Sequence, residues 1–200
     1  MSEGPAESIT VVLGHGAGGH MDHKTVVRFA SLVSSLGCTV VRFNFEYRVR
    51  GKGMPDRIPK LIATYAAVLE FVRTELKPSV LIIGGHSMGG RVASMLEAES
   101  SRAQGLLLFG YPLHPPGSPD KLRSSHLPQI QVPVLQLSGT NDEFCTPELM
   151  EAAVHGLKNW ELRWVNSADH GLTVRRSSGR TNAEVDQEIS DSIKAWVASP

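Results

Sequence analysis

The stretch LIIGGHSMGG, Leu81 to Gly90, passes from a block of apolar side chains directly into glycines that flank one serine. Within it, Gly85, Ser87 and Gly89 match the pattern G-x-S-x-G. In this pattern the serine occupies a tight, strained turn between a strand and a helix, where a bulky side chain two residues away would clash. The stretch therefore predicts a strand, an exposed serine hydroxyl above a sheet, and a helix from Met88 to about Glu99.

Strand and helix signals alternate along the rest of the chain, and this alternation is typical of a parallel sheet covered on both faces. Amphipathic stripes with helical spacing run over 26–33, 61–72 and 185–196. We interpret six short apolar runs as buried strands: ITVVLG from Ile9, CTVVRFNF from Cys38, SVLIIGG from Ser79, GLLLFG from Gly105, VPVLQLSG from Val132 and WELRWVN from Trp160. The prediction is an α/β fold with a doubly wound, about six-stranded parallel sheet and helices on both faces.

Composition predicts one soluble domain and excludes several classes of partner. The 200 residues are 41% apolar, enough for a single core, and we expect one domain over 1–200 with a flexible N-terminus at 1–8. Twenty basic and twenty acidic side chains cancel, so we expect neither nucleic acid nor a membrane surface as a partner. The start resembles no secretory signal, which predicts a cytoplasmic protein. The two cysteines, Cys38 and Cys145, have no ligand-like spacing and are expected to be reduced thiols.

A serine hydroxyl needs a base to remove its proton and an acid to orient that base. For a serine on a strand-to-helix turn, the order along the chain is serine, then carboxylate, then histidine. Asp142 follows a predicted strand in LQLSGTNDEF, and His170 follows the next in WVNSADHGL. Glu143 and Asp169 are competing acids, but Asp142 lies nearer the strand end and Asp169 resembles a turn former. The main-chain amide of Met88 is the predicted first oxyanion donor.

The second glycine cluster, LGHGAGGH at Leu13 to His20, allows a different function. Gly14, Gly16 and Gly19 match G-x-G-x-x-G after a predicted strand and before a helix that begins near Asp22, which is the context of a dinucleotide site. Glu46, past the next strand, would be its ribose-binding acid.

Two further alternatives rest on isolated charged or ligating residues. His15, His20 and His23 would form a metal cluster, although their spacing matches no known motif. Arg175 and Arg176 would grip an acidic substrate near the histidine loop, or would simply be solvated.

The segments HGAGG, GGHSMGGR, SGTNDEF and DHG resemble an α/β-hydrolase. With FNFEYR and MPDR, the chain is similar to a family of small hydrolase-like proteins that includes a testis-expressed member and the regulatory third subunit of the NSL acetyltransferase complex. The resemblance extends from about Ile9 to Trp196. It implies Ser87, Asp142 and His170 as a triad, and Ala17 as the second oxyanion amide.

The chain also departs from a full hydrolase of this kind. It begins at what would be the third strand, and no cap is inserted between Gly110 and Val132, so the resemblance implies an open cleft. Irregular sequence at 45–57 and 111–131, the latter rich in proline, predicts loops that shape the pocket.

We therefore expect a serine hydrolase of esterase type that acts on a small ester-like substrate and needs no cofactor or metal. The alternative is a non-catalytic, hydrolase-like interaction or regulatory domain with a protein partner.

Overall fold

The computed structural model describes residues 8–100 and 102–198. Its six strands are Ile9–Gly14 (β1), Thr39–Arg42 (β2), Val80–His86 (β3), Gly105–Phe109 (β4), Val134–Gly139 (β5) and Trp160–Val165 (β6). All neighbouring pairs are parallel, in the order β2-β1-β3-β4-β5-β6. The predicted parallel sheet of six strands is confirmed.

Helices separate the strands and cover both faces of the sheet. They are Lys24–Ser34 (α1), Glu46–Val49 (α2), Ile58–Glu75 (α3), Met88–Glu99 (α4), Pro147–Val154 (α5) and Asn182–Val197 (α6). One core layer includes Leu61 of α3 and Val92 of α4. The opposite layer includes Phe29 of α1 and Ile189 of α6. The doubly wound arrangement follows from these two layers, because each amphipathic helix buries one apolar stripe against the sheet.

Burial of the strands differs from the expectation of six buried strands. The interior strands β4 and β5 are buried along their whole length. In contrast, β2 has no buried residue and β6 has one. These two strands form the edges of the sheet, where one side lacks a neighbouring strand, so their short apolar runs are only partly covered.

The strand order creates one crevice at the carboxyl end of the sheet. The chain moves from β1 outward to β2, then crosses back to place β3 on the other side of β1. Ligands of open α/β sheets bind where the strand order reverses in this way. The register pairs Gly14 with Gly85, so the two glycine clusters of the sequence leave the sheet side by side.

The predicted loop Tyr111 to Gln131 is irregular except for a short 3-10 turn at Leu127–Gln129. Within the described residues, no cap domain is inserted there. The loop is nonetheless well packed, since Tyr111, Leu113 and Leu127 are fully buried.

Three further features of the sequence can be compared with the structure: the cysteines, the N-terminus and the absence of a long apolar segment. Cys38 and Cys145 are free and buried in the core layers on opposite faces of the sheet. Of the N-terminus predicted to be flexible, residues 1–7 lie outside the described residues, and the Ser8 carbonyl accepts hydrogen bonds from the Ser79 and Val80 amides. Among the described helices, none is long and apolar enough to cross a membrane.

Candidate active site

Ser87 lies at the turn between β3 and α4 in a strained backbone conformation. Its φ is 53° and its ψ is −120°, a combination that L-residues rarely adopt. Gly85 has φ 146°, and a Cβ there would lie 2.3 Å from the Gly14 carbonyl oxygen. A Cβ at Gly89 would approach the same oxygen to 2.2 Å. Both elbow glycines are therefore required because β1 passes directly against the turn.

The two glycines that the pattern G-x-S-x-G leaves unexplained also have packing roles. A Cβ at Gly84 would lie 1.8 Å from the carbonyl oxygen of Leu107 on the neighbouring strand β4. A Cβ at Gly90 would lie 2.7 Å from the Gly85 carbonyl oxygen. Gly90 thus allows α4 to fold back closely onto the strand that precedes it.

Ser87, His170 and Asp142 are brought together in a continuous hydrogen-bonded chain. His170 Nε2 lies 2.8 Å from Ser87 Oγ, and His170 Nδ1 lies 2.8 Å from Asp142 Oδ2. The Asp142 side chain is fully buried, whereas 20% of the His170 side chain is exposed. The other carboxylate oxygen of Asp142 accepts from the Phe144 amide at 2.8 Å. The acid is thereby fixed, and the imidazole edge that faces Ser87 reaches the crevice.

The competing acids lie outside this chain of hydrogen bonds. Asp169 Oδ1 accepts from the amides of Gly171 and Thr173 at 3.0 and 2.9 Å, so it closes a turn as expected. Glu143 is exposed.

Neighbouring side chains hold the histidine loop from two directions. His86 Nε2 donates to the main-chain carbonyl of His170 at 3.1 Å. On the other side, the Arg28 guanidinium donates to the carbonyls of Gly171 and Leu172, each at 3.0 Å. Burial and the nearby His170 lower the pKa of His86 to about 4, so its ring is neutral at physiological pH.

The first glycine cluster lies over the elbow. A Cβ at Gly16 would lie 3.5 Å from Ser87 Cβ, so the loop passes next to Ser87. Arg48 binds the outer side of this loop, with Nε 2.7 Å from the Gly19 carbonyl oxygen and Nη2 2.6 Å from that of Gly18. Tyr47 Oη donates to the Ala17 carbonyl at 2.8 Å. The loop carbonyls therefore face Arg48 and Tyr47, away from the crevice.

The amides of Ala17 and Met88 have no hydrogen-bond acceptor within residues 8–100 and 102–198. Both residues line the crevice beside Ser87. Two unpaired main-chain donors beside a serine hydroxyl are the arrangement that stabilises an oxyanion.

His15, which the metal hypothesis uses, and Glu46, which the dinucleotide hypothesis uses, both form hydrogen bonds or ion pairs within the protein. His15 Nδ1 donates to the Gly16 carbonyl at 2.8 Å, and His15 Nε2 accepts from the Phe45 amide at 3.3 Å. Burial lowers the pKa of His15, and both ring nitrogens are used within the fold. The carboxylate of Glu46 pairs with Lys60 at 2.7 Å and with Arg50 at 3.3 Å.

Arg175 and Arg176 are both exposed, and neither lines the crevice that contains Ser87. The predicted grip on a substrate near the histidine loop is therefore not formed by this pair.

The crevice around Ser87 is an open cleft of about 650 Å³. Its lining includes the Gly16–Gly19 loop, Pro112 and Pro116 from the proline-rich loop, and Phe144, whose ring centroid lies 4.4 Å from that of His170. Two arginines, Arg91 and Arg123, also line it.

Sequence reasoning assigned no role to several residues of this cleft. Arg91 was detectable, because it lies four residues after Ser87 on a predicted helix and therefore on the same side. Arg123 gave no such signal, since it belongs to an irregular segment whose path depends on packing. Arg48, which binds the outer side of the Gly16–Gly19 loop, gave none either, because its short helix lies in a segment that the sequence predicts as a loop.

A doubly wound sheet with a strained serine elbow and a linked histidine and carboxylate defines the α/β-hydrolase fold class. The chain belongs to the family described as the alpha/beta hydrolase domain, whose model matches residues 7–198.

Solved structures share this fold. A serine hydrolase homologue from Coxiella burnetii has a TM-score of 0.75 at 20% identity, covering 98% of this chain and 88% of that one. A serine hydrolase without lid from Xanthomonas campestris has a TM-score of 0.76 at 23% identity, covering 97% and 84%. Dienelactone hydrolase from Anabaena variabilis has a TM-score of 0.70 at 18% identity, covering 96% and 86%. At these identities the likeness concerns the fold.

Proposed function

We propose that this chain is a serine hydrolase of esterase type that cleaves a small ester by acyl transfer to water. The observation that supports this most directly is the unbroken sequence of contacts from Ser87 Oγ through His170 to Asp142, with both hydrogen bonds at 2.8 Å. An exposed hydroxyl alone would be a weak nucleophile, and this geometry supplies the base that activates it.

In the first half of the reaction, Ser87 Oγ attacks the ester carbonyl carbon while its proton passes to His170 Nε2. The tetrahedral intermediate then collapses, the bond to the leaving oxygen breaks, and His170 returns the proton to the departing alcohol. In the second half, His170 takes a proton from water as the water oxygen attacks the acyl-enzyme. The acid is released and Ser87 recovers its proton. Asp142 keeps the proton of the imidazole on Nδ1 throughout.

Charge that develops on the carbonyl oxygen would be stabilised by the amides of Met88 and Ala17. Each such donor contributes about 3 kcal/mol to stabilisation of the transition state. The Met88 amide also begins α4, so the helix dipole adds to the attraction.

The test is labelling by a fluorophosphonate together with hydrolysis of short 4-nitrophenyl esters. We expect wild type to be labelled and Ser87→Ala to be unlabelled, with kcat/KM lower by about 10⁴-fold or more. Ser31→Ala, which changes an exposed serine on α1, serves as the matched control and should behave as wild type.

The rival proposal from the sequence is a non-catalytic interaction domain that binds a protein partner. That proposal gains support if wild type is neither labelled nor active. Labelling that survives Ser87→Ala would contradict the esterase proposal for this serine. The narrower resemblance to the small hydrolase-like family and the cytoplasmic location stay predictions.

A further inference from the structure

Two arginines converge on the cleft beside the nucleophile. Arg91 lies one turn along α4 from Ser87, since its amide donates to the Ser87 carbonyl at 3.0 Å. Arg123 comes from the proline-rich loop, which the Tyr111 hydroxyl holds by donating to the Arg123 carbonyl at 2.6 Å. Both residues line the same cleft as Ser87 and His170.

These two cations have no anionic partner in the described part of the chain. No carboxylate of residues 8–100 or 102–198 lies within ion-pairing distance of Arg91 or Arg123. Arg91 Nε is buried without an acceptor, and Arg123 Nη1 has only the Pro112 carbonyl, at 3.5 Å.

The cleft lining also contains one acidic residue, Asp56, whose carboxylate already pairs with Arg50. Both carboxylate oxygens of Asp56 accept hydrogen bonds from Arg50 at 2.9 Å. With Asp56 neutralised by Arg50, the cleft has two cationic side chains, Arg91 and Arg123, that lack a carboxylate partner among the described residues.

Such an arrangement costs folding free energy unless a ligand compensates it. Burial, together with the positive charge of Arg123, lowers the pKa of Arg91. A buried donor without an acceptor is also unfavourable, and groups of this kind concentrate at functional sites. A carboxylate accepts from a guanidinium through two parallel hydrogen bonds, so it would satisfy this donor set.

We propose that the ester substrate contains a free carboxylate, which Arg91 and Arg123 bind while the ester carbonyl lies at Ser87. The inference rests on the proposed esterase function and narrows its substrate to half-esters of dicarboxylic acids. One turn of helix, about 5.4 Å, separates the nucleophile from Arg91, so a few methylene groups would join the two ends of the substrate.

The experiment compares three esters that share one leaving group: mono-4-nitrophenyl adipate, its neutral methyl ester, and 4-nitrophenyl hexanoate. We expect wild type to prefer the anionic ester over both neutral ones by about 10- to 100-fold in kcat/KM. In Arg91→Gln and Arg123→Gln this ratio should fall towards one, because kcat/KM for the anionic ester falls more than kcat/KM for the hexanoate.

Arg176→Gln is the matched control, because it removes the same charge from an exposed arginine outside the cleft. Its ratio should equal that of wild type. Arg91→Lys should recover only part of the preference, because an ammonium group cannot form the paired hydrogen bonds. A wild-type ratio near one, or a ratio that Arg91→Gln and Arg123→Gln leave unchanged, would overturn the proposal.

A binding measurement separates this inference from the esterase proposal. Calorimetric titration of Ser87→Ala with monomethyl adipate and with dimethyl adipate requires no catalysis. We expect the monoanion to bind at least about 10-fold more tightly, and the difference to disappear in Ser87→Ala/Arg91→Gln. If wild type hydrolyses neutral esters but monomethyl and dimethyl adipate bind with equal affinity, the proposed anion site is contradicted and the esterase proposal is not. If monomethyl adipate binds more tightly but wild type hydrolyses none of the esters, the esterase proposal is contradicted and the anion site is not.

Discussion

At the residue scale, His86 connects the turn at Ser87 to the loop that carries His170. It precedes Ser87 in the chain, and its ring donates to the main-chain carbonyl of His170. Its ring centroid lies 5.1 Å from that of His170, and Phe29 packs on it at 5.8 Å. A charged His86 would place a positive charge next to the His170 ring, so the arrangement depends on the neutral form of His86 that burial enforces.

The lowered pKa of His86 predicts an acid-dependent loss of stability. Well above pH 6.5 the imidazole is neutral in both the folded and the unfolded chain. As pH falls from 6.5 towards 4, the unfolded chain binds the proton first, so this contribution to the free energy of unfolding is lost, by at most about 3 kcal/mol. His86→Gln should reduce the pH slope of urea denaturation in this window.

His155→Gln, a change at an exposed histidine, is the control and should keep the slope of wild type. His126 has a pKa near 4 for the same reason of burial, so part of the slope should persist in His86→Gln. Identical slopes in His86→Gln and wild type would contradict the prediction.

At the scale of elements, the short helix α2 orients the loop that follows β1. Its Arg48 binds two carbonyls of that loop and its Tyr47 binds a third, all from the side opposite the cleft. The carbonyl in the same peptide group as the Ala17 amide is that of Gly16, which accepts a hydrogen bond from His15 Nδ1 at 2.8 Å. Arg48 and Tyr47 hold the peptide groups that follow it in the loop. The FNFEYR segment thus fixes the loop that carries Ala17, although it contributes no side chain to the cleft.

We predict that Arg48→Gln lowers kcat about 10-fold with little change in KM, because a mobile loop weakens binding of the transition state more than that of the ester. Arg176→Gln removes an exposed arginine outside the cleft and should leave kcat near that of wild type. Steady-state kinetics on a neutral 4-nitrophenyl ester distinguish the two variants. A change confined to KM in Arg48→Gln would refute the positioning role.

At the scale of the whole molecule, Arg28 joins three distant segments. Its guanidinium pairs with Asp186 of α6 at 2.6 Å and binds two carbonyls of the His170 loop, while its main chain belongs to α1. Only 19% of its side chain is exposed. The position of the His170 loop therefore depends on the packing of the two helices that cover one face of the sheet.

Arg28→Met should lower the free energy of unfolding by about 2 kcal/mol, since a partly buried carboxylate and two carbonyls lose a charged donor. It should also reduce kcat at temperatures well below its midpoint of unfolding. Arg163→Met breaks a more exposed pair with Glu161 and should cost less than about 1 kcal/mol. Equal losses in the two variants, measured by urea denaturation, would show that Arg28 has no special role.

The sequence by itself determined the elements and the order of the chemical groups. Apolar runs of strand length and the glycines around Ser87 indicated the parallel sheet and the helix Met88–Glu99, because local sterics and periodicity act over a few residues. Chain order indicated Asp142 and His170 as candidates, and the structure places both beside Ser87, since loops after parallel strands emerge at one edge of the sheet.

Tertiary structure decided what surrounds those groups. The partial exposure of β2 and β6 depends on which strands form the edges, and edge position is a property of strand order that local patterns do not contain. The outward carbonyls held by Arg48, and the meeting of Arg91 with Arg123, depend on how irregular loops pack against helices distant in sequence. The sequence therefore identified the candidate nucleophile and base, whereas the packing of the proline-rich loop created the cationic end of the cleft.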